Sequence, residues 1–290
     1  MRSLVVVAAA LRGAGALRPP SRPSPSRSPH RLASAARDVF CLSSFSEGVL
    51  GNGEVARLLR EACSERSEGG KVTLCYVPTA SYALRRTSVR TPGVQRQRSR
   101  RDAKQKRDRI VDFFGGPSAC DAVTLDLSDA SLKHVAAAAA PRDGAEALCD
   151  WASLVVVDGG NTFWLRHCME RWLGTLRDES DGVYVGVSAG AICAGRHVDT
   201  ALWKGWDDPE VVPGDVDWAK TPGLDLAGGA TFFPHHDEAA YGDLVSAKRE
   251  DRHAPLVALE EGGAYVVPKS GGPARYVPPP PPPPSGGDKS

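Results

Sequence analysis

Short apolar runs rich in β-branched residues alternate along the chain with segments of helical spacing. Residues 39–43, 71–77, 123–127, 154–157 and 184–187 read as buried strands. Between the first two, residues 54–63 place Val55, Leu58, Leu59 and Ala62 on one helical face. The later part of 85–109 continues as a helix into Ile110, Val111, Phe113 and Phe114, and the alanine-rich stretches 131–140 and 145–151 read as helices too. Further strand pieces fall at 232–233, 256–259, 264–267 and 275–277. Strands that alternate with helices predict an α/β domain built on a doubly wound, mostly parallel sheet.

The ends break this pattern. Residues 1–37 contain seven arginines and no acidic residue among many Ser, Ala and Pro. That composition is expected of a disordered targeting segment, a transit peptide for a plastid or mitochondrion. The short apolar run at 4–11 could instead be the core of a signal peptide, and an arm with no address would leave the protein cytoplasmic. At the other end, residues 278–290 open with an uninterrupted proline run and read as a disordered polyproline tail. The expected domain is therefore 38–277.

Net charge is +1 over 290 residues, which argues against a dedicated nucleic-acid binder. The strongly basic stretch 85–109 holds nine arginines and two lysines but no interleaved aromatics, so a solvated helix face is its default reading. No membrane-spanning run is present, so neither a nucleic acid nor a membrane is an expected partner. Seven widely spaced cysteines without a CxxC pair suggest neither zinc nor a disulfide framework. Cys193 reads as a core residue. No metal or cofactor is expected.

The chemistry concentrates where the fifth strand ends. Gly186-Val187-Ser188-Ala189-Gly190 passes from an apolar strand into an Ala- and Ile-rich helix start. Small neighbours allow strand and helix to approach around a sharply turned serine, as in a nucleophile elbow; the plainer reading is a tight turn whose serine caps the helix. The preceding strand runs into Asp158-Gly159-Gly160-Asn161-Thr162. Neighbouring parallel strands share one crevice at their carboxyl ends, so the N–H groups of Gly160 and Ala189 could converge on one oxyanion. A phosphate-binding loop, or a turn with Asn161 as cap, remains the alternative. A base must lie within reach of the serine, and His235-His236 supply candidates. Asp199, Asp207 and Asp208 are candidate acids to orient it.

The ordered set Gly159-Gly160-Asn161-Thr162-Phe163, Gly186-Val187-Ser188-Ala189-Gly190-Ala191, Pro234-His235 and Glu261-Gly262 resembles the dipeptidase E (alpha-aspartyl dipeptidase) and cyanophycinase family of serine peptidases over about residues 38–268. The resemblance implies a class I glutamine amidotransferase-like, flavodoxin-like fold. It also implies hydrolysis of small peptides with an N-terminal aspartate. Ser188 would be the nucleophile and His235 the base. The family's acid-x-proline spacing selects Asp207 from Asp207-Asp208-Pro209. Asn161 would contact substrate, and Glu261 would be structural or a second substrate contact. A cyanophycinase-like exopeptidase, or an inactive member that binds an acidic peptide, are the alternatives.

Overall fold

The computed structural model describes residues 37–128, 144–252 and 254–281, all within one compact unit. Seven strands pair into one sheet: β1 (Val39–Leu42), β2 (Val72–Val77), β3 (Cys120–Thr124), β4 (Leu154–Val157), β5 (Val183–Val187), β8 (Ala264–Val267) and β9 (Arg275–Val277). Their spatial order is β3-β2-β4-β5-β1-β8-β9. The five strands from β3 to β1 are parallel, and β8 and β9 extend the sheet antiparallel. A separate parallel pair is made by β6 (Thr231–His236) and β7 (Leu256–Glu260). The expected doubly wound, mostly parallel sheet is present.

Alternation along the strands feeds two cores. On one face, Cys41, Val77, Val155, Val157 and Tyr184 pack with Phe163 and Leu165 of α4 (Thr162–Met169) and with Ala191 and Ile192 of α5 (Ala189–Ala194). On the other, Leu42, Leu74, Val156 and Val185 meet Val55 and Leu59 of α1 (Gly53–Ser64) and Ile110 and Val111 of α2 (Pro92–Phe113). Residues buried on both sides explain the continuous apolar strand sequences. All seven cysteines are buried, and none is joined in a disulfide among the described residues. Burial pushes the Cys193 thiol up to about 12, consistent with a packing role.

Several boundaries differ from the sequence reading. The third strand, expected at 123–127, is Cys120–Thr124, because ladder pairing runs from Val72–Cys120 to Tyr76–Thr124. Leu125 and Leu127 are buried but lie past the ladder, where Asp126 accepts hydrogen bonds from the N–H and hydroxyl of Ser128. Helix α3 (Gly144–Trp151) was foreseen, whereas α6 (Glu238–Glu250) was not. Helix α6 buries Val245 and lacks an apolar stripe; its Asp237 cap was the available signal. The helix expected at 131–140 lies outside the described residues, as do 1–36 with their targeting assignment.

The side-chain amide of Asn52 donates to Pro278 O and to Gly262 O, each at 2.9 Å, so the first prolines lie against the domain. Arg37, assigned to the leader, is buried and donates to Leu176 O at 2.6 Å.

The elbow is the tightest point of the fold. A Cβ on Gly186 would come 2.6 Å from Gly190 O, and one on Gly190 would come 2.1 Å from Val157 O. Gly190→Ala is expected to destabilise the protein by roughly 3 kcal/mol, because the obstructing atoms are backbone and cannot rotate away. Urea unfolding of the variant beside wild type measures this.

Candidate active site

The parallel strands β4, β5 and β1 end side by side, and each contributes to one crevice. After β5, Ser188 adopts φ 51° and ψ −107°, a left-handed geometry that a non-glycine residue rarely holds. Its N–H donates to Leu42 O of β1 at 2.8 Å, and its carbonyl accepts from Ile192 N at 3.0 Å. The side chain is thereby fixed at the start of α5. After β4, Gly159 lies against it: a Cβ there would sit 3.0 Å from Ser188 Cβ. Gly160, at φ 146°, passes so close to the Ala80–Ser81 backbone that a Cβ would meet Ala80 O at 2.4 Å. Ala189 is the first residue of α5, so its N–H has no intrahelical acceptor.

The turn before Gly159 is anchored through Asp158. Its Oδ2 accepts from the Tyr76 hydroxyl at 2.6 Å and from Lys106 Nζ at 2.8 Å. Lys106 belongs to the basic helix. In the same region Arg107 donates to Thr124 and Arg86 pairs with Asp208 and Glu210. Part of the basic stretch therefore reaches the site's turns and loop while Lys106 and Arg86 remain half-exposed.

His235 also has a positive φ, 53°. It sits in an irregularity of β6, where Phe233 pairs with Ala258 and His236 with Glu260, leaving Pro234 and His235 opposite a single residue. The His235 N–H donates to Ser43 Oγ at 2.8 Å, and that hydroxyl donates to Leu259 O at 2.8 Å. Ser43 follows β1, so one hydroxyl ties the small sheet to the large one. The ring is held at both ends. His235 Nε2 lies 2.9 Å from Ser188 Oγ, and Nδ1 bonds to Glu261 Oε1. Glu261 is carried by the turn between β7 and β8; Gly262, at φ 82°, makes that turn, and Asn52 holds the Gly262 carbonyl.

The structure thus brings together Ser188, His235 and Glu261, with Gly159 against Ser188 and Gly160 against the Ala80–Ser81 backbone. Asp207 is placed differently from the expected base-orienting position. Its Oδ2 accepts from the Thr162 N–H at 2.9 Å, at the start of α4. Burial pushes its carboxyl above the usual range, opposed by the Thr162 hydrogen bonding and by nearby His235. Asp208 pairs with Arg86, and Asp199 with Arg252. Asn161 is engaged at both ends of its amide: Oδ1 accepts from Trp164 N at 2.8 Å, and Nδ2 donates to Asp208 O at 2.9 Å. It fastens the 207–208 loop to α4 rather than presenting a free amide to a substrate. The second histidine, His236, is buried and pairs with Glu238 at 2.9 Å.

A cavity of about 430 Å³ lies between α2 and α4. Arg96, Arg100 and Trp164 line it, while Ser188 and His235 do not. Among the described residues no group of three or more His, Cys, Asp or Glu side chains could hold a metal, and no helix is long and apolar enough to cross a membrane.

Comparison with known proteins agrees with this architecture. Residues 121–271 match the family model described as Peptidase family S51. No curated protein matches. A solved structure assigned to peptidase E from Listeria monocytogenes EGD-e is similar at 16% identity, covering 83% of this chain and 98% of its own, with a TM-score of 0.52. A peptidase from an acI-B1 Actinobacterium is similar at 17% identity, covering 84% and 94%, with a TM-score of 0.49.

The raised carboxyl of Asp207 gives a stability prediction. The native state holds its proton more tightly than the unfolded chain, so this group favours folding at low pH, and that contribution is lost as pH rises through the raised native value. Asp207→Asn keeps an acceptor for Thr162 and removes the buried charge. Its thermal midpoint is expected to exceed that of wild type at pH 7, with the gap closing as pH falls toward 3.8, the ordinary value of the group. Melting curves across that range check it.

Proposed function

Because this chain belongs to peptidase family S51 and is a serine peptidase, we propose that Ser188 is its nucleophile, His235 its general base and Glu261 the carboxylate that orients the base. The observation that carries this reading is the unbroken hydrogen-bond chain Ser188–His235–Glu261. Ser188 Oγ attacks the peptide carbonyl while its proton passes to His235 Nε2. Negative charge on the carbonyl oxygen is met by the N–H groups of Gly160 and Ala189, the second aided by the start of α5. His235 then protonates the leaving amine. Water attacks the acyl-enzyme and gives its proton to His235, which passes it to Ser188 Oγ as the acyl–oxygen bond breaks and the acid product leaves. Glu261 accepts the hydrogen bond from Nδ1–H, which leaves Nε2 as the acceptor when attack begins.

We propose small peptides with an acidic first residue, aspartate above all, as substrates. Arg96 and Arg100 support this. They stand four residues apart on α2, form no ion pair with a described residue, and line the cavity as two cations against the single carboxylate of Asp126. Neighbouring Arg98 and Arg101, by contrast, lie near Asp102. The cavity shares α4 with the site, since Trp164 lines it and Asn161 caps the same helix.

Ser188→Ala is expected to fold normally, to lose labelling by a fluorophosphonate probe and to lose roughly 10⁴-fold or more in turnover. Persistent turnover would refute the nucleophile. Glu261→Gln is expected to cost roughly 10³-fold or more, by analogy with a triad acid replaced by its amide, and Asp207→Asn about tenfold or less. The reverse order would return the role to Asp207. For specificity, a dipeptide panel varied at the first position is expected to favour aspartate. The double change Arg96→Ala and Arg100→Ala should raise KM for that substrate by roughly tenfold or more, the worth of one charge-assisted hydrogen bond. An unchanged KM would remove the cavity from recognition.

A further inference from the structure

Lys204 occupies an unusual position beside the site. Its Nζ donates to Pro234 O at 2.7 Å and to His235 O at 2.6 Å. These two carbonyls belong to the irregular part of β6, opposite a single residue of β7. Around the same ammonium stand the rings of Trp206, Phe233 and Tyr241, each with its centroid 4.3 Å away. Trp206 also lies 5.9 Å from the His235 ring, centroid to centroid. The cation is thus fixed by two carbonyl oxygens and three aromatic faces, all of which interact best with a positive charge.

We propose that Lys204 is a positioning residue, whose ammonium group locks the left-handed backbone of His235 and so holds the imidazole on Ser188. This rests on the Ser188–His235 reading above. His235 is otherwise tied through its N–H to Ser43 and through its ring to Ser188 and Glu261. Lys204 restrains the remaining backbone group, the carbonyl. Without it, the strained φ of 53° has one tether fewer, and rotation about this peptide swings the ring away from the nucleophile. A displacement of about 1 Å at a reacting group can cost on the order of 10²-fold in rate.

The ammonium also sets a pH dependence. Burial pushes Lys204 down to about 8, opposed by Glu261 on the β7–β8 turn and by Asp237 at the cap of α6. Other charged groups nearby are already engaged: Glu238 pairs with His236, while Lys248 and Arg252 lie over Trp203. Asp207, on the same loop as Lys204, is bonded to Thr162. Loss of the proton removes the attraction to the rings and weakens both carbonyl bonds. The stability effect has the opposite sign. The native pKa lies below the usual 10.5, so the unfolded chain binds the proton more readily between about 8 and 10.5, and this group's contribution to folding stability rises with pH across that window. Activity falling while this contribution rises is a signature that loosening of the whole fold would not produce.

The test measures the rate of Ser188 labelling by a fluorophosphonate probe between pH 6 and 10, on the full chain, with thermal midpoints recorded alongside. Wild type is expected to lose labelling rate through about pH 8. Lys204→Met should label roughly 10- to 100-fold more slowly at pH 7 and lack the alkaline fall. Lys204→Arg, which keeps the charge, should recover part of the rate and hold it to higher pH. If Lys204→Met labels within twofold of wild type and keeps the alkaline fall, the proposal is overturned. Should that variant fail to fold, a wild-type rate with no fall near pH 8, or a fall that Lys204→Arg leaves in place, overturns it equally. Label that persists in Ser188→Ala would instead refute the nucleophile, so the two failures are distinguishable.

Discussion

A serine held in a left-handed backbone conformation, between a strand and a helix that nearly touch, is the constraint on which the site depends. Such a conformation costs on the order of 1–3 kcal/mol and persists only where its surroundings over-determine it. Here the Ser188 N–H is bonded to Leu42 O and its carbonyl to Ile192 N, while Gly186 and Gly190 remove every atom that would hold strand and helix apart. The hydroxyl lies at the carboxyl edge of the sheet, 2.9 Å from His235 Nε2. The same turn places the first N–H of α5, that of Ala189, next to Ser188 in the chain, with no intrahelical acceptor.

The histidine is delivered by a second strained residue on a separate pair of strands. That pair is fastened to the main sheet by small polar contacts at its end. Ser43 takes the His235 N–H and gives its own proton to Leu259 O. Asn52 caps α1 and also holds the carbonyl of Gly262, next to Glu261. These contacts join the ends of β1, β6 and β7, three strands far apart in sequence. Over them lies the loop from Trp203 to Val211, fixed to α4 by Asn161 and Asp207 and to the preceding segment by Arg86. The loop carries both the ring that faces His235 and the lysine that holds the His235 carbonyl.

Much of this was legible in the sequence, for a physical reason. Buried parallel strands must be apolar on both faces, and a sharp strand-to-helix turn admits few side chains; both requirements act on residues adjacent in the chain. The alternation of strands and helices, Ser188 at the elbow and the Gly159-Gly160 turn could therefore be read directly, while the choice of His235 over His236 came from the family resemblance. The basic helix was visible as well, but not that Lys106 reaches Asp158, since net composition does not say which charges find partners inside the fold.

Tertiary structure alone decided which carboxylate meets the histidine. Asp207, Asp208, Asp199 and Glu261 are equally acidic on paper, and spacing to a proline favoured the first. Folding turns Asp207 onto the start of α4, commits Asp208 and Asp199 to arginines, and carries Glu261 to His235 Nδ1 on a turn set by Gly262 and Asn52. The same holds for Ser43 and Lys204, whose partners are backbone groups at the end of another strand. A hydrogen bond between a side chain and a distant backbone group leaves no pattern in the order of residues, because any residue can supply the N–H or C=O. Local sequence therefore determined the elements and the serine at the strand-to-helix turn, while the long-range meeting of strand ends determined how the histidine is held.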